Sequence, residues 1–161
     1  MSEEIELTGY CGLYCPDCIR YKSKAADLAQ ALLNELKETE FECYAELKSS
    51  SVKQLSRVKQ LEHYEECCEV LQAIVTLQCN TPCRIGRGCP TFSCSILDCC
   101  KSKGFAGCWQ CDTFESCEQL KPLETIHGVC VKGNLRRIKE LGLEQWSKNN
   151  RYKSYIWQQE I

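Results

Sequence analysis

The sequence predicts a mainly α-helical domain that carries an irregular, cysteine-rich segment. Three observations lead to this prediction. Apolar residues recur with helical spacing over most of residues 19–78, no run alternates with the period of a β-strand, and 16 of the 161 residues are cysteine. A chain of this length is typical of one domain with a modest core, so we expect residues 1–161 to fold as a single domain.

The first helix is predicted over residues 23–38. Ser23 is suited to its N-terminus because a serine hydroxyl accepts a hydrogen bond from an unpaired backbone N–H group. The apolar residues that recur at intervals of three and four, and that we expect to share one face, are Ala25, Leu28, Ala29, Leu32, Leu33 and Leu36.

Two further helical patterns complete the helical part. A triple serine at residues 49–51 marks a break or a cap before them. The apolar positions of the first pattern are Val52, Leu55, Val58 and Leu61. Those of the second are Tyr64, Cys67, Cys68, Leu71, Ile74 and Val75. The two patterns predict one long helix or two helices with a bend near His63.

Short helices are predicted for the C-terminal part, residues 121–161. Asn134 is suited to cap a helix that Gly142 ends, because glycine readily takes the left-handed conformation found after many helices. The tail from Leu143 through Trp146 to Trp157 is rich in aromatic residues, and we expect it to pack back as short helices.

The cysteine-rich part comprises residues 9–18 and 79–120. It is dense in cysteine, glycine and proline, and it has too few large apolar residues to build a core of its own. The N-terminal MSEEIELTG lacks the apolar centre of a secretory signal, so we expect a cytoplasmic protein whose thiols stay reduced. Metal ligation is then the expected way to staple this segment.

Four cysteines are expected to pack as small apolar residues or to stand alone, rather than to bind metal. They are Cys43, Cys67, Cys68 and Cys130. His63 and His127 could each bind a metal, but neither has a second histidine at metal-ligand spacing, so we do not expect them to be ligands. Trp109 is expected to shield the site or to pack on the core.

Twelve cysteines remain as candidate metal ligands: Cys11, Cys15, Cys18, Cys79, Cys83, Cys89, Cys94, Cys99, Cys100, Cys108, Cys111 and Cys117. The strongest local signals are the two C-x2-C pairs, Cys15/Cys18 and Cys108/Cys111. In such a pair, a tight turn aims both sulfurs at one metal. Twelve thiolates fill three tetrahedral zinc sites, two sites with spares, or one cluster with bridging thiolates. We expect zinc, with an iron–sulfur cluster as the alternative, because cysteine sulfur suits both.

Basic residues within the cysteine-rich stretch are candidates to offset the charge of metal thiolates. Four thiolates around Zn²⁺ leave a net charge of about −2 on a site. The nearby cations are Arg84, Arg87, Lys101 and Lys103, and the alternative is that they are solvated surface charges.

The order of the cysteine motifs resembles that of a known family. CGLYCPDC near the start is similar to its opening motif, and CRIGRGCPTFSCSILDCCKSKGFAGCWQCDTFESC is similar to its central block, followed by a helix of the type NLRRIKELGLEQW. The family comprises small cysteine-rich prokaryotic proteins, defined as a domain of unknown function and considered to bind zinc. The resemblance covers residues 9–20 and 64–148, whereas 38–62 match no motif, and it implies a zinc protein without implying an activity.

A second resemblance concerns the radical S-adenosylmethionine enzymes. The array Cys11-x3-Cys15-x2-Cys18 has the spacing of their catalytic cluster motif. Cys108-x2-Cys111-x5-Cys117 is similar to the cluster-binding tail found in some of them, although Lys121 stands where a further cysteine follows. The chain lacks the alternating strands and helices of the barrel that such an enzyme needs.

The predicted function is a zinc-binding structural or interaction module with no catalytic residues. The sequence contains no Ser/His/Asp set, no glycine-rich phosphate loop and no H-E-x-x-H motif. The alternatives are an iron–sulfur protein for electron transfer or redox sensing, and a small enzyme. The enzyme would use an open zinc site, or a reactive Cys94 or Cys100 activated by Lys101 or Lys103.

Charge and hydropathy exclude some partners. The formal net charge of −2 gives no footprint for nucleic acid, and no apolar run approaches the roughly 20 residues that span a bilayer. A protein partner remains open. Within the chain, we expect CGLYCPDC to form one half of a long-range clip with the central block, with Cys79 or Cys83 as its fourth ligand.

Overall fold

The computed structural model describes residues 3–51, 56–86, 93–149, 151, 152 and 155. These residues contain no β-strand, only two isolated β-bridges, Thr8 with Tyr14 and Tyr21 with Cys79. The prediction of a mainly α fold is therefore confirmed. The helices of the described residues are α1 (Glu3–Leu7), α2 (Lys24–Glu38), α3 (Phe41–Ser51), α4 (Tyr64–Thr76), α5 (Ser95–Ser102), α6 (Lys121–His127), α7 (Cys130–Leu141) and α8 (Leu143–Asn149).

The chain divides into two compact units. The cysteine-rich unit consists of Met1–Tyr21 together with Cys79–Ile161, and the helical unit is Lys22–Gln78. That residues 1–161 form one domain stays a prediction. Among the described residues, no helix has both the length and the apolar character needed to cross a membrane.

Helix α2 begins as predicted, because the Ser23 hydroxyl accepts a hydrogen bond from the Ala26 N–H at 3.4 Å. Its buried residues are Ala26 and Ala29, whose small side chains suit close packing against α4. The predicted apolar face is partly wrong, since Leu28 and Leu32 are 60% and 47% exposed. Leucines and alanines surround much of this helix, so the period alone could not select the stripe that faces α4.

Helix α3 was not predicted, and it contains Cys43, which was expected to pack as a small apolar residue or to stand alone. The Cys43 side chain is exposed. The first of the two following patterns is not a regular α-helix: Ser56–His63 is a 3₁₀ segment with a kink at Val58, and Val52 and Leu55 lie outside the described residues.

Helix α4 begins directly after His63, where a bend was expected. Its more protected face includes Tyr64, whose ring packs 5.7 Å from that of Phe41 in α3. Cys67 is exposed and Cys68 only half-buried, so the prediction that both pack in the core is wrong. The helical period groups Cys67 with the apolar residues of α4, but it does not determine whether another element covers that side chain.

Helix α7 lies at the centre of the cysteine-rich unit and is longer at its N-terminus than predicted. Asn134 is not its cap. It is buried in the middle of the helix, where its Oδ1 accepts hydrogen bonds from Trp146 Nε1 at 3.1 Å and from the Tyr152 N–H at 2.8 Å. Gly142 ends the helix as predicted, with φ +76°. Cys130 is fully buried and belongs to the core, as expected. The buried residues of this core are Ile96, Cys100, Cys108, Phe114, Leu120, Cys130, Val131 and Leu135.

The N-terminal loop packs against α7 and the C-terminal tail. Gly12 has φ +80°, and a Cβ there would lie only 2.9 Å from Leu135 Cδ2, so this position requires glycine. The Tyr14 ring meets the Trp146 ring edge-on at 5.9 Å. Arg151 pairs with Asp17 at 2.7 Å, which confirms that the described part of the tail packs back. Trp157 lies outside the described residues.

Candidate metal-thiolate site

Each of the two C-x2-C pairs forms a 3₁₀ turn of its own. In the first, the Cys18 N–H donates to the Cys15 carbonyl at 2.9 Å, and in the second the Cys111 N–H donates to the Cys108 carbonyl at 3.0 Å. The two turns are therefore alike. The second is joined to the N-terminal loop by a hydrogen bond of 2.8 Å from the Cys108 N–H to the Tyr10 carbonyl.

Gly107, which precedes the second turn, is needed for space. Its φ of 173° is ordinary extended backbone, but a Cβ would lie 2.2 Å from the Trp109 ring. Trp109 covers this glycine and packs against the core, as one of the two expectations for it stated.

Five cysteines line one cavity of about 190 Å³, together with Ile96, Phe105 and Phe114. We call them the cavity cluster: Cys99, Cys100, Cys108, Cys111 and Cys117. Within it, the sulfurs of Cys100 and Cys108 are 3.7 Å apart and buried. Helix α5 supplies two of the thiols, and the turn and loop after it supply the other three.

The cavity cluster contains thiols with opposite proton affinities. The pKa of Cys100 is lowered because the Cys108 thiol hydrogen-bonds to it, an effect that burial opposes and that the charges of Arg84 and Lys103 support. The same hydrogen bond and burial raise the pKa of Cys108. The pKa of Cys111 is lowered by the hydroxyl of Thr113, whose Oγ1 lies 3.4 Å from the sulfur, and by the Thr113 N–H.

Two ion pairs fix the loop that carries Cys111 and Cys117 onto α7. Arg136 binds the Glu115 carboxylate through two nitrogens, at 2.5 and 2.7 Å, and Lys139 lies 3.0 Å from Asp112. Sequence reasoning did not identify these contacts. The spacing of Arg136 and Lys139 along one helix face was the available signal, but nothing in the sequence says which loop they face.

Four other cysteines gather around the N-terminal loop, and we call them the N-terminal cluster: Cys11, Cys15, Cys83 and Cys94. A Cβ on Gly9 would lie 3.5 Å from Cys11 Sγ and 3.6 Å from Cys83 Sγ, so both sulfurs border the same glycine. The backbone N–H of Cys83 hydrogen-bonds to the Cys15 sulfur, and the N–H of Tyr10 hydrogen-bonds to the Cys83 sulfur.

Burial dominates the acidity of the N-terminal cluster. It raises the pKa of Cys11 strongly and that of Cys83 to about 11, and the negative charge of a neighbouring thiolate raises both further. The pKa of Cys15 is raised by burial, against the hydrogen bond from the Cys83 N–H. Four thiolates cannot be held together at this place without a compensating positive charge.

Cys18 and Cys79 lie beside the N-terminal cluster, and the negative charge of either thiolate raises the pKa of Cys15. Cys18 Sγ accepts a hydrogen bond from the Tyr155 hydroxyl at 3.3 Å, and the Cys79 thiol donates to the Thr81 carbonyl at 3.1 Å. The Cys79 N–H also donates to the Arg20 carbonyl at 2.8 Å, which places it next to the end of the N-terminal segment.

Arg84 lies between the two clusters. It donates to the carbonyls of Thr8 at 3.1 Å and Ala106 at 2.7 Å, and its guanidinium lies 4.1 Å from the Tyr10 ring centroid. Its charge lowers the pKa of thiols in both clusters, Cys83 and Cys100 among them. Of the four cations considered from the sequence, Arg84 and Lys103 thus act on the cysteines, and Arg87 lies outside the described residues.

The described residues contain no group of three or more Cys, His, Asp or Glu side chains that could hold a metal ion as they are placed. Within the part of the chain that the structure describes, no disulfide joins any two cysteines. Cys89, the twelfth candidate, lies outside the described residues. His63 is exposed and close to Glu62 and Glu66, and it belongs to the helical unit, whereas the candidate cysteines belong to the cysteine-rich unit.

Comparison with known proteins identifies a family and nothing narrower. A family model described as Protein of unknown function (DUF3795) matches residues 7–122. The match contains both clusters and the helical unit, so it extends through residues 38–62, which no motif in the sequence covered. Comparison with curated proteins and with solved structures gives no match in either set. The chain therefore belongs to the DUF3795 family of proteins of unknown function.

Proposed function

We propose that this protein binds a metal ion, zinc in the first instance, through the thiolates of the cavity cluster. The observation that carries the proposal is the sulfur pair of Cys100 and Cys108. Two thiolates that bind one tetrahedral zinc at about 2.3 Å lie about 3.8 Å apart, and these two sulfurs are 3.7 Å apart. Cys111 and Cys117 line the same cavity and are the candidates to complete four ligands.

The chemistry of the cavity supports a soft metal. Five of its lining residues are cysteines, beside Lys103, Thr113, Ser116 and Gln119, and thiolates favour Zn²⁺, Cu⁺ and iron–sulfur clusters over Mg²⁺ or Ca²⁺. Arg84 and Lys103 supply positive charge beside Cys100, which favours the thiolate that a metal needs as its ligand. A reducing compartment such as the cytoplasm would keep these thiols available.

Such a metal would have a structural role. It would join α5 to the turn at Cys108 and to the loop at Cys117, in a segment with few large apolar residues. Free energy of metal binding adds to that of folding where the ligands are not preformed in the unfolded chain. The role of a structural or interaction module follows from this arrangement.

Metal content of the protein purified without oxygen tests the proposal. We expect zinc in whole-number stoichiometry by elemental analysis and native mass spectrometry. Cys108→Ser is expected to lose one metal per chain, whereas Cys67→Ser, which changes an exposed thiol of α4, is expected to lose none. Metal-free protein, or an unchanged content in Cys108→Ser, would refute the cavity site. Iron in place of zinc, with visible absorption, would favour the iron–sulfur alternative.

A further inference from the structure

Two buried sulfurs of the cavity cluster are in direct contact with each other. Cys100 Sγ and Cys108 Sγ are 3.7 Å apart, which is about the contact distance of two sulfur atoms that share no bond. A disulfide bond is about 2 Å long, so the two sulfurs need to approach each other by less than about 2 Å to form one. The pair is therefore close to the geometry of a disulfide as well as to that of two ligands on one metal.

Backbone contacts hold this pair in place. The Phe105 N–H donates to the Cys100 carbonyl at 2.9 Å, which turns the chain back onto the end of α5. Arg84 Nη2 donates to the Ala106 carbonyl at 2.7 Å, and the Cys108 N–H is bonded to the N-terminal loop. Groups that the fold positions in this way react as if they were highly concentrated. The proximity of the two sulfurs thus depends on the folded loop between them.

The cavity gives a small reagent access to both sulfurs. Its volume is about 190 Å³, and its lining includes the exposed residues Lys103, Ser116 and Gln119, so it opens to solvent. A water molecule occupies about 30 Å³ in the liquid. Hydrogen peroxide is only slightly larger than water and fits this space, whereas a bulky disulfide reagent does not. The cavity therefore favours hydrogen peroxide as the oxidant that reaches the pair.

We propose that Cys100 and Cys108 are a modification site, at which hydrogen peroxide that enters the cavity oxidises the two thiols to a reversible disulfide. Formation of the disulfide does not require a metal. Its competition with a metal in the same cavity rests on the proposed function, because that function assigns both sulfurs to the metal.

The chemistry balances with one peroxide for each disulfide. The thiolate of one cysteine attacks a peroxide oxygen, the O–O bond breaks, and the hydroxide that leaves takes up a proton to become water. The sulfenic acid that results then reacts with the other thiol: an S–S bond forms, the S–O bond breaks, and a second water leaves with the proton of that thiol. The two sulfurs together lose two electrons, and the peroxide gains them. A dithiol reductant reverses the change by thiol–disulfide exchange.

Oxidation of the pair has a consequence for the metal. A cysteine binds metal as its thiolate, so two sulfurs that are joined to each other are lost as ligands. Cys111 and Cys117 would remain as the only two of the four proposed ligands. Peroxide should therefore release the metal from the cavity, and bound metal should slow the oxidation of the pair.

Peroxide treatment of the full chain, purified without oxygen and used without a chelator, tests the proposal. After one equivalent of hydrogen peroxide, we expect tandem mass spectrometry to show that the first disulfide within the chain joins Cys100 to Cys108, and that a dithiol reductant removes it. The same treatment in guanidinium is expected to give a mixture of pairings, because unfolding separates the two sulfurs. A different first disulfide in the folded chain, such as Cys108 with Cys111, would overturn the proposal. An equal preference in guanidinium would do the same.

The neighbour of Cys100 provides a matched control. Cys99 also lines the cavity from α5, but it is not in contact with Cys108 in the pair described above and is not one of the four proposed ligands. We expect Cys99→Ser to form the same disulfide as the wild type, and Cys100→Ser and Cys108→Ser to lose it. Loss of the disulfide in Cys99→Ser, together with its retention in Cys100→Ser, would contradict the assignment. The wild-type map is decisive by itself if a variant does not fold.

Zinc release during oxidation separates this inference from the proposed function. We expect one zinc ion per chain to leave in step with the disulfide, and added zinc to slow both changes. A Cys100–Cys108 disulfide in a chain that binds no zinc would refute the cavity metal site and support the modification site. Zinc binding with a different first disulfide, or with none, would refute the modification site and leave the metal site standing. Zinc that stays bound after the disulfide forms would refute the competition between the two.

Discussion

Replacing Asn134 by alanine is expected to destabilise the protein by about 3 kcal/mol. The change removes the acceptor of the Trp146 Nε1–H, which is fully buried, and of the Tyr152 N–H. A buried donor left without a partner costs about 1–3 kcal/mol, and the second lost hydrogen bond and the lost side-chain volume add to that. In a protein of this size the melting temperature should fall by about 6–12 °C.

Thermal and urea unfolding of the purified protein would measure this loss of stability, and a serine variant would identify its cause. Serine caps a helix about as well as asparagine, so Asn134→Ser would be nearly neutral if the residue were a cap. If Asn134 is instead a buried acceptor for two donors, Asn134→Ser should destabilise the protein nearly as much as Asn134→Ala. The reasoning would be refuted by a loss below about 1 kcal/mol for alanine together with no loss for serine.

A double-mutant cycle isolates the hydrogen bond itself. Trp146→Phe removes the indole donor and keeps an aromatic ring, so the cost of Asn134→Ala should be smaller in that background. We expect a coupling free energy between the two positions of about 1–2 kcal/mol. Additive effects would show that Asn134 contributes through packing instead.

Three further predictions follow from particular residues. Gly12→Ala should cost about 2 kcal/mol or more, because its Cβ would meet Leu135 at a positive φ; circular dichroism melts would show it, and an unchanged melting temperature would contradict it. Cys67 should be alkylated much faster than Cys130, because Cys67 is exposed whereas Cys130 is fully buried and burial raises its pKa to about 11. Mass spectrometry of an alkylation time course would give the order of labelling. Faster labelling of Cys130 would be inconsistent with the structure. Removing metal with a strong chelator should lower helix content and melting temperature, and the absence of any change would exclude a structural metal.

Local signals in the sequence predicted several elements well. The Ser23 cap, the helix after His63, the end of α7 at Gly142 and the tight C-x2-C turns depend on residues a few positions apart, and each occurs as expected. Backbone propensity and capping determine such features, and both can be predicted from residues that are close together in the sequence.

Other features depend on which distant segment a residue meets. Asn134 has the chemistry of a cap, but the approach of Trp146 in α8 makes it an internal acceptor. Cys67 has the spacing of a core residue, but its side chain is exposed. The grouping of the cysteines also depends on contacts between segments that are distant in the sequence. Spacing placed Cys11, Cys15 and Cys18 in one group, but it could not show that Cys18 Sγ accepts a hydrogen bond from the Tyr155 hydroxyl.

The pairing of Tyr21 with Cys79 has a consequence for how this chain could be redesigned. The two residues that precede and follow the helical unit are already neighbours, joined by a β-bridge and by the hydrogen bond from the Cys79 N–H to the Arg20 carbonyl. Domains whose ends lie close together tolerate insertion and exchange. Residues 22–78 are therefore suited to exchange. A short linker or a reporter domain could replace them while the loops that carry the thiols keep their backbone contacts.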